Sequence, residues 1–106
     1  MNSTLIGKVV YISGAITADP DFKLKFNRAA EAVRAAGARL CLNPAELPEN
    51  WGDYEAYMEH CMLMVRRSEA IVMLPCWSNS PGARAERAYA ESLRRPVLEL
   101  SALSAE

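Results

Sequence analysis

Lys8–Ser13 reads KVVYIS and runs into Gly14. β-Branched and aromatic residues fill this stretch without polar alternation, the pattern of a strand covered on both faces. A loop from Ala15 to Pro20 follows. Asp21 then stands where it can cap a helix whose apolar residues Phe22, Phe26, Ala29, Val33 and Ala36 recur at helical spacing, with Gly37 placed to end it. Strands and helices go on alternating along the chain, without an internal sequence repeat. A second strand, Arg39–Leu42, stops at Asn43-Pro44, because proline brings no N–H to a ladder. Asp53 caps a helix from Tyr54 to about Arg67, and the third strand is Ala70–Leu74. After a loop Pro75–Pro81 comes an alanine-rich helix from about Gly82 to Arg94, and Pro96 precedes a last strand, Val97–Leu100. Ser101–Glu106 reads as a frayed tail.

Strands separated by helices of this length cannot be hairpins, so the sheet is expected to be parallel with right-handed crossovers. The predicted fold is α/β: a Rossmann-like or flavodoxin-like three-layer sandwich with a four- or five-stranded, mainly parallel sheet, in one domain over residues 1–106. Such sheets bind ligands beyond the carboxyl ends of their strands, where the strand order switches. The loops that matter are therefore Ser13–Pro20, Asn43–Gly52 and Pro75–Gly82.

Composition narrows the function. With 12 basic against 13 acidic side chains the net charge is −1, and the basic excess of a nucleic-acid binder is missing, so no nucleic-acid partner is expected. The hydrophobic fraction of 51% is that of a folded globular chain. Cys41, Cys61 and Cys76 form no C-x-x-C pair and His60 stands alone, which argues against a disulfide framework or a metal and for a reducing cytoplasm. The Val9–Ile12 apolar run is too short for a signal-peptide core, and nothing reaches the length of a membrane span.

Glu86 is the anomalous residue. Ala83, Glu86, Ala90 and Leu93 share one helical face, so a carboxylate sits inside the stripe expected to pack on the sheet, just over one turn from the positive end of the helix dipole. The plainer alternative is a half-exposed glutamate paired with Arg84 or Arg87. Ahead of it, Ser78-Asn79-Ser80-Pro81-Gly82 brings hydroxyls and a glycine to a helix N-terminus, suited to a phosphate or to simple capping by Ser80. The Ser13-Gly14 turn offers a second close backbone approach. Neither a Gly-x-Gly-x-x-Gly fingerprint nor a Walker lysine is present, and no cofactor is expected. Trp77 and Trp51 flank the strand ends, where either could stack on a base or anchor its loop. Tyr57, Met58, Met62 and Met64 read as core or interface.

Tyr11-Ile12-Ser13-Gly14, Asn43-Pro44-Ala45-Glu46-Leu47, Leu74-Pro75-Cys76-Trp77 and Ser80-Pro81-Gly82-Ala83-Arg84-Ala85-Glu86 together resemble a small family common in bacteriophages, domain of unknown function 4406. That family is similar to the nucleoside 2-deoxyribosyltransferase-like superfamily, which includes the 2′-deoxynucleoside 5′-monophosphate N-glycosidases. The resemblance covers about Gly7 to Leu100. It implies that Glu86 attacks the anomeric carbon, that Tyr11 is an active-site tyrosine, that Ser80 holds a 5′-phosphate, and that the backbone of Ser13, Gly14, Ala15 and Ile16 wraps the sugar-phosphate. Asn43, Trp77 and Gly82 complete the expected substrate-binding set. The resemblance also implies a homodimer or higher homo-oligomer. Active relatives carry an Asp eight residues before the acidic position that opens the third strand, here Glu69; Cys61 stands there instead. The expected function is hydrolysis or transfer at the N-glycosidic bond of a nucleoside or nucleotide. The alternative is a nucleotide-binding or sequestering module without turnover.

Overall fold

The computed structural model describes residues 3–16, 19–47, 53–75 and 77–103. Its strands are β1 (Val9–Ser13), β2 (Leu40–Leu42), β3 (Ala70–Met73) and β4 (Val97–Glu99), and its α-helices are α1 (Phe22–Ala35), α2 (Tyr54–Arg67) and α3 (Pro81–Ser92). The four strands form one sheet in the order β2-β1-β3-β4, and every pairing is parallel. The predicted α/β sandwich is therefore the one observed, with four strands.

The burial of each strand follows its place in that order. β1 and β3 lie in the middle and are buried almost throughout, which is why both read as unbroken apolar runs; the edge strands β2 and β4 are partly open. Period-two geometry sends their side chains to two cores. Val10, Ile12, Ala70 and Val72 join Phe26, Ala29, Ala30 and Val33 of α1 on one face. Tyr11, Ile71 and Met73 join Cys61 and Val65 of α2 and Ala83 and Ala90 of α3 on the other. Right-handed crossovers require this split, because the chain leaves β1 toward one edge and returns past it to β3. The carboxyl ends of β1 and β3 thus flank the switch point.

Several boundaries differ from the sequence reading. Asp21 stands at the start of α1 but makes no side-chain cap bond, because its backbone (φ −102°, ψ 15°) is not extended as a capping residue requires. Asp19 serves instead: one carboxylate oxygen accepts the Asp21 N–H at 2.9 Å and the other meets Lys25 Nζ at 2.8 Å. Asp53 does cap α2, accepting the Ala56 N–H at 2.8 Å. Arg39 precedes β2 rather than joining it, and Pro44–Glu46 forms a 3-10 turn within the expected loop. α3 begins at Pro81, not Gly82, since proline's fixed φ and missing N–H suit a first helical position. It ends at Ser92 rather than Arg94, whose φ of 60° reverses the chain toward β4. The Arg95 guanidinium fastens this reversal to the Ser68 carbonyl at 2.8 Å.

The tail is also more ordered than expected. Leu100–Ala102 makes a 3-10 turn, and Leu100 and Leu103 pack on the α1-side core. The turn thus adds apolar cover to the face that α1 packs on.

Candidate functional site

Tyr11 and Ser13 are two residues apart on β1 and so point to the same face, toward α3. Both are fully buried. Glu86 comes down from α3 onto them: its Oε1 accepts the Tyr11 hydroxyl at 3.0 Å and the Ser13 hydroxyl at 2.6 Å. Only 5% of Glu86 is exposed. The alternative of a surface ion pair does not hold. Arg84 donates to the Ser78 carbonyl at 2.6 Å, and the Arg87 guanidinium lies 4.3 Å from the centre of the Trp77 ring and 3.8 Å from Glu91.

The two oxygens of the Glu86 carboxylate differ. Oε1 holds both hydrogen bonds, whereas Oε2 has none among the described residues. No fully buried side-chain oxygen or nitrogen among them lacks a partner, so Oε2 is not fully buried. Burial pushes the Glu86 carboxyl up from its ordinary 4.5 to about 7, against the opposing pull of the Ser13 and Tyr11 hydrogen bonds. Burial, and then the adjacent Glu86 charge, holds Tyr11 well above the usual phenol range. An anchored carboxyl with one open oxygen, poised near neutrality, can act as a nucleophile or exchange a proton.

Cys61 packs beside Tyr11 in the α2/α3-side core, and burial, then the Glu86 charge, raises its thiol to about 12. Tyr57, one helical turn before Cys61, donates its hydroxyl proton to the Pro44 carbonyl at 2.9 Å. It therefore ties α2 to the segment leaving β2. Burial raises Tyr57 too.

The chain belongs to the DUF4406 family. Its family model, described as Domain of unknown function (DUF4406), matches residues 8–99. Among curated proteins no match to the chain was found. The matched span of this DUF4406 chain contains all four strands, all three α-helices and the Tyr11–Ser13–Glu86 cluster.

Not every expected site residue joins that cluster. Gly14 does sit at the end of β1, where an added Cβ would come within 2.9 Å of Leu74 Cβ; only glycine allows that approach. Ala15 is half-buried beyond it, while Ile16 packs with the α1-side core, on the face away from Glu86. Asn43 is occupied structurally: its Oδ1 accepts the Ala45 N–H at 2.9 Å and its Nδ2 donates to Asn27 at 3.0 Å. The Ser80 hydroxyl caps α3, accepting the Ala83 N–H at 3.2 Å. The missing side chain of Gly82 faces Met58 and Tyr54 of α2, 3.2 Å from an added Cβ. Trp77 packs with the α2/α3-side core under Arg87, its indole N–H donating to Glu99 at 3.4 Å. Trp51 and Cys76 lie outside the described residues.

Sequence reasoning assigned Ser13 only a backbone role and Tyr57 only packing. The period-two relation to Tyr11 could have revealed the first, and the four-residue spacing to Cys61 the second. No cluster of three or more potential metal ligands occurs among the described residues, and no helix there is long and apolar enough to cross a membrane.

Proposed function

We propose that this DUF4406 protein opens the N-glycosidic bond of a nucleoside or nucleotide, sharing its chemistry with the nucleoside 2-deoxyribosyltransferase-like superfamily. The observation that carries the reading is the buried Glu86 carboxylate, anchored through Oε1 by Tyr11 and Ser13 and open at Oε2, at the carboxyl end of β1. In this mechanism Oε2 attacks the anomeric carbon, and the C1′–N bond breaks with its electron pair passing to the base. Water or a second base then attacks C1′ and returns the carboxylate. Tyr11 and Ser13 act as positioning residues that hold the attacking group. The α3 N-terminus at Ser80 and Gly82 supports a 5′-phosphate as the distal handle, through its N–H groups and dipole.

A second reading, a binding module that sequesters nucleotides without turnover, is favoured by Cys61. A thiol raised to about 12 is a poor proton donor to a departing base. Incubation with deoxynucleosides and their monophosphates, with free base followed by chromatography, separates the two. Base release that disappears in Glu86→Gln supports the glycosidic reading. Ligand-dependent thermal stabilisation without release supports the binding module.

A further inference from the structure

The net charge of −1 is distributed unevenly over the fold. In a parallel sheet each crossover helix runs back against its strands. The amino ends of all four strands and the C-termini of all three α-helices therefore share one end, opposite the Tyr11–Ser13–Glu86 cluster. Seven of the 12 basic residues fall there: Lys8 before β1, Arg34 in the last turn of α1, Arg39 before β2, Arg66 and Arg67 in the last turn of α2, and Arg94 and Arg95 between α3 and β4. Of the 13 acidic residues only Glu69 and Glu91 do, which leaves five basic against eleven acidic residues in the rest of the chain.

Contacts draw this end together. Arg39, Lys8, Glu69 and Arg95 follow one another along the sheet edge in the strand order β2-β1-β3-β4. Arg95 donates to the Ser68 carbonyl at 2.8 Å and to the Arg66 carbonyl at 3.5 Å, so the α3–β4 turn lies against the end of α2. Both acids are engaged: Glu69 accepts the Val9 N–H at 2.9 Å with Arg39 at 4.0 Å, and Glu91 lies 3.8 Å from Arg87. Arg39, Arg66, Arg67 and Arg94 are exposed. Cations at helix C-termini commonly offset the dipole, but three helices present only about one and a half negative charges. Seven basic against two acidic residues is an excess of five, well beyond that need.

We propose that this end of the molecule binds the phosphate backbone of a nucleic acid, without reading its bases. The overall composition hides the local excess on which such binding depends. Six of the seven cations are arginine, whose planar fork makes paired hydrogen bonds to phosphate. They come from three neighbouring turns, which suits a repeating anion better than a single small one. The patch lies away from Glu86, so the proposal is independent of the role given to that residue.

Anisotropy of a labelled DNA duplex of about 20 base pairs, with single-stranded DNA alongside, measures binding to the full chain across salt. If Arg39, Arg66, Arg67 and Arg94 each meet one phosphate, log K falls with log salt at a slope of about −3.6, roughly a 100-fold loss from about 50 to 200 mM. Arg66→Gln with Arg67→Gln should weaken binding and make the slope shallower by about 1.8. Lys23→Gln with Arg28→Gln makes the same charge change at exposed positions of α1 and should leave both nearly unchanged. Equal weakening by the two double variants overturns the proposal. So does a parent that fails to bind at about 50 mM salt, or binds with a slope near zero, whether or not the variants fold. A labelled peptide of alternating glutamate and leucine could also engage Ile6 and Leu40, which are exposed at the same end. Tighter binding of that peptide than of DNA overturns the proposal and assigns the patch to an acidic protein.

Discussion

Replacing Glu86 by glutamine should make the protein more stable at alkaline pH. The amide keeps an oxygen to accept the Tyr11 and Ser13 hydroxyls, but it cannot ionise. In the parent, burial raises the carboxyl from 4.5 to about 7, so the folded state holds this proton more tightly than the unfolded chain does. Its contribution to stability is therefore complete below about 4.5 and is lost as the pH climbs through about 7. A displacement of that size corresponds to about 3 kcal/mol. Urea titrations of parent and variant at pH 4.5 and 8.5 measure it. Near pH 4.5 the two curves should nearly coincide. At pH 8.5 the variant should be ahead by about 3 kcal/mol, or roughly 2 M in midpoint for a chain of this size. Other titrating groups are shared by both proteins and cancel in the difference. A gap that stays constant with pH would falsify the claim that Glu86 is a desolvated carboxyl. A gap that opens as expected, together with loss of base release, marks a residue kept for chemistry at the expense of stability.

If Glu86 attacks as the carboxylate, kcat/KM should rise with pH to a plateau through an ionisation near 7; a profile flat from pH 5 to 8 contradicts that role. Gly14→Ala would set a Cβ 2.9 Å from Leu74 Cβ, where neither atom is at the end of a flexible chain, and is expected to cost about 1–3 kcal/mol, read as a lowered Tm. Ser80→Ala removes the α3 cap and should cost about 1 kcal/mol in denaturant titration. If Ser80 also meets a 5′-phosphate, the same change should weaken monophosphate binding more than nucleoside binding in calorimetry.

The elements were readable because their signals are local. The apolar runs of β1 and β3, the helical stripes of α1 and α3, and the Asp53 and Ser80 caps are all written within a few neighbouring positions. Where the reading slipped, a contact distant in sequence, or a backbone angle that no side chain announces, had decided the matter. Asp21 loses the cap to Asp19 because of its own φ and ψ. Arg94 ends α3 by turning left-handed, and Arg95 locks that turn to Ser68 at the end of α2. Leu103, an ordinary residue in a short tail, packs on the α1-side core, a contact that no local pattern announces.

The candidate site divides the same way. The sequence alone determined that Glu86 is out of place in an apolar stripe, and that Tyr11 and Ser13 end a buried strand, since helical and strand periodicity assign faces without knowledge of partners. Only the tertiary structure decided that these faces meet across 73 to 75 residues of chain, with both hydroxyls on one carboxylate oxygen and the other left open. It likewise decided that Asn43, Ser80 and Trp77 spend their polar atoms on Asn27, the α3 N-terminus and Glu99. Such pairings depend on the strand order β2-β1-β3-β4 and on the sides its crossovers take. Those are properties of how the layers pack as a whole, and no single stretch of the chain encodes them.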